Sequence, residues 1–117
     1  MKLTIAAIAL AIAGSAIAQD GPPAGNAERG REIYHKLTCY SCHGTLGQGG
    51  ERGAGPKLVP NPFPYAGFIR QLRNPRQDMP RYGDKWVSDQ AVADIYAYLL
   101  SIKPAPEAKD IPLLQNM

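Results

Sequence analysis

The feature that most constrains this chain is the segment Cys-Tyr-Ser-Cys-His at residues 39–43. It contains both cysteines of the 117-residue chain and one of its two histidines. Two spacers separate Cys39 from Cys42, and His43 follows directly. This spacing is compatible with a redox-active or structural disulfide, with a zinc site, or with attachment of a c-type haem.

The disulfide and zinc interpretations each require a context that this sequence does not supply. A redox-active C-x-x-C pair usually lies on a thioredoxin-like βαβ unit, whereas this sequence indicates helices and loops. A zinc site could use His35, Cys39, Cys42 and His43. Those four residues fall within nine positions, however, and structural zinc sites normally draw their ligands from two separated segments.

Haem attachment accounts for the whole motif. In this arrangement each cysteine sulfur adds to a vinyl group of the porphyrin, and the following histidine becomes an axial ligand of the iron. The chain contains 11 prolines and 12 glycines, so it can form few long regular elements. A haem would supply the large apolar body around which so short a chain could fold. We therefore predict that Cys39 and Cys42 tether one haem c and that His43 binds its iron.

A second axial ligand is predicted at Met79. This methionine lies between Pro75 and Pro80, in an irregular segment that could fold over the opposite haem face. Met117 is the last residue and is not expected to bind the iron. His35 precedes Cys39 by one helical turn, on the same side of the iron as His43, and is interpreted as a surface or packing residue.

The N-terminal residues have the pattern of an export signal. Lys2 is followed by the apolar run 3–13 and then by Ala16-Ile17-Ala18, a small-x-small cleavage site. The apolar run is shorter than the roughly 20 residues of a membrane span. We expect residues 1–18 to be a signal peptide that directs the chain to the periplasm. No membrane span is expected after cleavage.

Helix signals divide the remaining chain. Asn26 is a good N-cap for a helix over 27–37, and Ser88 is one for a helix over 89–102. A shorter helix is predicted over 65–73, with loops elsewhere. The resulting organisation is a flexible leader at 19–25, one domain at 26–103 and a tail at 104–117.

The charge pattern excludes one class of partner. Thirteen basic residues oppose ten acidic ones, and a net charge of +3 is too small to indicate nucleic-acid binding. Five basic residues nevertheless flank Met79: Arg70, Arg73, Arg76, Arg81 and Lys85. This cluster is either a docking rim for an acidic redox partner or a solvated loop with one arginine bound to a haem propionate.

Taken together, these motifs resemble the class I cytochrome c family in its small bacterial monohaem form, over about 26–103. The resemblance implies an all-α class I cytochrome c fold, with short helices and long loops around one covalently bound haem. The segment Gly-Pro-Lys-Leu at 55–58 is similar to the family's segment after the haem motif. It implies that the Pro56 carbonyl accepts a hydrogen bond from His43 and that Leu58 lines the haem pocket.

The resemblance also implies how the helices meet. Gly30 and Tyr34 of the N-terminal helix should contact Ile95 and Tyr98 of the C-terminal helix. The interval from Tyr34 to Cys39 is one residue longer than in mitochondrial members, which predicts a local distortion between them. Candidate partners of the haem propionates are Tyr65, Arg73, Arg76 and Trp86.

The function implied is that of a periplasmic one-electron carrier and not of an enzyme. It would accept electrons from a periplasmic dehydrogenase and pass them to an oxidase or another cytochrome of the respiratory chain. Two alternatives stay open. One is a tightly bound haem subunit of a dehydrogenase complex, and the other is a haem sensor or peroxidase with an open iron site. The chain is expected to be either a monomer or a subunit of a complex.

Overall fold

A computed structural model describes residues 21–50, 54–60 and 62–115. Within those residues the secondary structure is helical and contains no strand, which confirms the predicted all-α fold. The predicted signal peptide lies outside the described residues. The helices are α1 (Ala27–Lys36), α2 (Tyr40–His43), α3 (Tyr65–Arg73) and α4 (Asp89–Ser101), followed by 3₁₀ turns at Ala108–Asp110 and Pro112–Leu114. None of these described helices has the length and apolarity needed to cross a membrane.

The helix starts follow the predicted caps. The Asn26 side chain accepts a hydrogen bond from the Arg29 backbone N–H at 2.8 Å. The Ser88 hydroxyl accepts one from the Ala91 N–H at 3.2 Å. Each bond satisfies a backbone donor that has no partner within its helix. The caps therefore determine where α1 and α4 begin.

Helix α1 packs mainly against α4, and a glycine makes the close approach possible. A Cβ atom at Gly30 would overlap the backbone carbonyl of Asp94 and lie 2.9 Å from the Ile95 nitrogen. Tyr34 is 1% exposed, and its ring centroid lies 5.5 Å from that of Tyr98. The predicted contacts between the first and last helices are thus confirmed.

We expect Gly30→Ala to destabilise the protein by about 1–3 kcal/mol, because the added methyl group forces the two backbones apart. The midpoint of thermal unfolding should fall by at least about 4 °C. Gly67→Ala, in α3, is the matched control, since a Cβ atom there meets only the Phe63 side chain at 3.6 Å. It should be neutral or stabilise by up to about 1 kcal/mol. Equal losses in both variants would contradict the close-approach interpretation.

A buried carboxylate, which sequence patterning did not identify, also joins the two helices. Asp94 is 2% exposed and accepts hydrogen bonds from the Asn26 N–H at 2.7 Å and from Arg29 Nε at 2.9 Å. Gln90 donates to the same carboxylate at 3.1 Å. The hydrogen bond from Arg29 holds the pKa of Asp94 below its usual range, against the opposing effect of burial. The start of α1 is therefore fastened to α4 by a charged network.

Two tyrosines of the helix crossing hold the segment that follows α2. The Tyr34 hydroxyl donates to the Gly44 carbonyl at 2.7 Å, and the Tyr98 hydroxyl donates to the Thr45 carbonyl at 3.2 Å. Burial raises the pKa of Tyr34, which further favours the protonated hydroxyl that donates this bond. The core between α1 and α4 thereby positions the backbone next to His43.

The junction between α1 and α2 contains the expected distortion. Thr38 has φ of 57°, in the left-handed region that non-glycine residues seldom adopt. The Cys39 N–H donates to the Tyr34 carbonyl at 3.1 Å across this turn. The chain turns at Thr38, and the cysteine segment begins immediately after this turn.

Candidate haem site

Helix α2 brings the two cysteines and the histidine onto a single turn. Cys39 is the residue before its first turn, and Cys42 and His43 are its last two residues. Both thiols are half-buried and unbridged, whereas His43 is 9% exposed. The motif is therefore presented as two separate thiols beside a buried imidazole.

The His43 ring is oriented by a backbone carbonyl. Its Nδ1 lies 2.8 Å from the Pro56 oxygen. Because a carbonyl can only accept, Nδ1 carries a proton, and Nε2 is the ring nitrogen that remains available to a metal. The hydrogen bond implied by the family resemblance is present, and it leaves Nε2 in the form that binds a metal.

The segment that bears Pro56 can lie this close only because a glycine precedes it. A Cβ atom at Gly55 would lie 2.6 Å from the Cys42 carbonyl oxygen and 2.9 Å from His43 Nδ1. Gly44, with φ of 81°, ends α2 and turns the chain toward this segment. The backbone therefore encloses the imidazole on its Nδ1 side.

The geometry does not favour the alternatives to haem. Among the described residues there is no group of three or more histidine, cysteine or acidic side chains that could hold a metal ion. Burial raises the pKa of the Cys39 thiol to about 11, whereas reactive C-x-x-C thiols have lowered pKa values. His35 packs between aromatic rings, with centroid distances of 5.9 Å to Tyr34 and 5.4 Å to Tyr40.

Met79 and Leu58 lie at the margin of the hydrophobic core. Both are half-buried and, like Cys39, pack against the same hydrophobic cluster. The Met79 sulfur accepts a hydrogen bond from the Gln71 side-chain amide of α3 at 3.6 Å. No sequence pattern identified Gln71, because its relation to Met79 depends on the fold of the intervening loop.

Tyr82 connects the Met79 loop to the cysteine segment. Its backbone N–H donates to the Leu72 carbonyl at 2.9 Å, and its hydroxyl donates to the Leu37 carbonyl at 3.2 Å. The loop is thereby fastened both to α3 and to the junction just before Cys39. The only sequence signal for Tyr82 is its position three residues after Met79.

The four candidate propionate partners differ in their surroundings. Arg73 donates to the Tyr82 carbonyl at 2.8 Å and forms an ion pair with Asp89. The Tyr65 hydroxyl donates to the Asp89 carbonyl at 3.4 Å. Arg76 is exposed, and Trp86 is 91% exposed. Arg73 and Tyr65 are thus already engaged within the protein.

Comparison with known families agrees with this geometry. A family model described as cytochrome c oxidase, cbb3-type, subunit III matches residues 25–99, well over half of the 117-residue chain. The chain belongs to this cytochrome c family. Its prosthetic group is a c-type haem with iron at its centre, bound covalently. The two free thiols and the oriented imidazole fit that group, because they provide two tethers and one nitrogen ligand.

Individual relatives extend this comparison. The cytochrome bc1 complex cytochrome c subunit of Corynebacterium diphtheriae is 31% identical over 90 residues, covering 75% of this chain and 31% of the relative. Proteins of the same name from Mycobacterium bovis and Mycobacterium tuberculosis are 32% identical over 83 residues, covering 69% of this chain and 28% of their own lengths. The chain thus spans less than a third of these curated relatives. No solved structure matches it significantly.

Proposed function

We propose that this cytochrome c domain carries single electrons as the haem-bearing subunit of a respiratory complex on the periplasmic side of the membrane. The observation that carries the proposal is the hydrogen bond of 2.8 Å from His43 Nδ1 to the Pro56 carbonyl, beside two free thiols. It would hold the imidazole in the orientation that lets Nε2 bind the iron. We assign Cys39 and Cys42 as tethers and His43 and Met79 as axial ligands. The haem supplies the iron that alternates between two oxidation states.

The protein residues serve this chemistry by limiting movement. The Pro56 carbonyl keeps His43 in one tautomer, and Gly55 lets the backbone press against its ring. The Gln71 amide and the Tyr82 hydrogen bonds hold the Met79 loop from two sides. Rigid axial ligands reduce the rearrangement that accompanies a change of charge on a metal. If Met79 binds the iron as His43 does, no position on the iron would stay open to a substrate, and the domain would transfer electrons without making or breaking a substrate bond.

The similarity of the relatives supports a subunit more than the free carrier expected from sequence. The matched relatives are named as subunits of the cytochrome bc1 complex, and the matched family is described as a subunit of an oxidase. Because the chain spans less than a third of those relatives, their assembly partners are proposals for this chain. We therefore propose a respiratory complex in place of the dehydrogenase complex that we considered from the sequence as an alternative.

The proposal is tested by isolating the native protein from its membranes. Solubilised membranes of the source organism, separated on a native gel, should show this chain in a haem-stained band far heavier than its 12.6 kDa. A redox titration of the isolated protein should follow a one-electron curve. Recovery of all the native chain as a free monomer would contradict the subunit assignment, and a titration without a one-electron step would contradict the carrier function.

A further inference from the structure

Trp86 is displayed on the surface by a rigid turn. The backbone N–H groups of Trp86 and Val87 both donate to the Gly83 carbonyl at 3.0 Å. Val87 is 3% exposed and anchors the turn in the core, so its neighbour Trp86 is 91% exposed. A tryptophan in this position forgoes the stabilisation that burial of its large apolar ring would provide.

A basic depression adjoins this turn. It has a volume of about 530 Å³, and its charged lining residues are Arg70, Arg73, Arg81, Asp84 and Asp89. Arg73 and Asp89 neutralise each other through their ion pair. Arg70, Arg81 and the neighbouring Lys85 form no ion pair among the described residues, and Asp84 is the one acidic residue of the lining besides Asp89. The remaining charge of the region is positive.

We propose that Trp86, Lys85 and this depression, together the Trp86 surface, form the docking site for an acidic protein surface of the electron-transfer partner. The inference rests on the proposed function and adds the chemistry of the partner. The ring of Trp86 would enter an apolar recess of the partner, and partner carboxylates would face Arg70 and Arg81. Exposed aromatic anchors surrounded by charged residues commonly supply most of the affinity at such interfaces.

Two observations favour a protein over an anionic lipid surface as the occupant. Asp84, next but one to Trp86, would meet lipid phosphates of its own sign, whereas a protein can place a donor opposite it. Trp86 is also the only tryptophan, and with Val87 buried it has little apolar surface around it to insert into a bilayer. The hydrogen-bonded turn fixes the backbone that carries the ring before binding, which lowers the backbone entropy lost on association.

The test measures electron transfer from the reduced holoprotein to membranes of the source organism that lack their own copy of this chain. Trp86→Ala should lower the second-order rate constant about tenfold at both low and high salt, because salt does not screen an apolar contact. Arg81→Glu should lower it about tenfold at low salt only. Phe63→Ala is the matched control, since Phe63 is an exposed aromatic residue, 61% exposed, at the other end of α3.

The remaining measurements distinguish a docking site for a protein from a lipid-binding surface and from a failure of the proposed function. Reaction with hexacyanoferrate(III), a small oxidant, should be the same for the unaltered holoprotein and Trp86→Ala, which shows that the haem is intact. A rate to membranes unchanged by Trp86→Ala, or lowered equally by Phe63→Ala, would overturn the docking proposal alone. Trp86-dependent binding to protein-free phosphatidylglycerol vesicles would identify lipid as the occupant and would also overturn it. Absence of any transfer from the unaltered holoprotein to membranes would overturn the proposed function itself.

Discussion

Replacement of both Cys39 and Cys42 by alanine is expected to yield a protein that loses all its haem on acid–acetone extraction. The unaltered protein, produced in a host with cytochrome c maturation, should keep its haem and show the added mass. The reason is that thioether bonds survive unfolding, whereas the bond between iron and His43 does not. Mass spectrometry of the extracted chain provides the measurement.

Variants of each cysteine alone, and of a residue between them, show whether haem loss depends on the two thiols. Cys39→Ala and Cys42→Ala should each retain haem through the remaining thioether, at a lower yield. Ser41→Ala lies between the two cysteines and is exposed, so it should retain haem fully and serves as the control. Haem that remained attached in the double variant would contradict the assignment of these two residues as the tethers.

Met79→Ala should leave the haem attached but abolish the long-wavelength absorption band of a ferric iron–sulfur bond. A thioether ligand favours the reduced iron, so its removal should lower the reduction potential, by an amount on the order of 100 mV within the range that axial ligands control. Visible spectra and a redox titration of the variant measure both effects. Met117, the other methionine of residues 19–117, is the control, and Met117→Ala should change neither.

The opposite behaviour of these two variants would show that the ligand is misassigned. A spectrum without the band in the unaltered protein would instead support an open iron site, and with it the sensor or peroxidase alternative. In that case a Gln71 variant should be made next, because the Gln71 amide donates to the Met79 sulfur at 3.6 Å.

Short-range features of this protein were predictable because their causes lie within a few residues. The caps at Asn26 and Ser88 set the starts of α1 and α4 within one turn. The grouping of two thiols and an imidazole at 39–43 follows from adjacency in the chain, whatever the rest of the fold does. The family resemblance also predicted the hydrogen bond between His43 and Pro56 and the contact of Gly30 with α4, because related chains fold alike.

Sequence alone therefore determined the helical class, the helix starts and the chemistry of the cysteine motif. Only the tertiary structure decided that Asp94 is buried with Arg29, that Gln71 meets Met79 and that Trp86 faces solvent. Apolar periodicity in α4 indicates which face turns inward, but it cannot show that a carboxylate on that helix finds a partner 65 residues earlier in the chain. Likewise, the exposure of Trp86 follows from Val87 taking the core position beside it. Both outcomes depend on which distant segments come together, and that is a property of the whole packed chain.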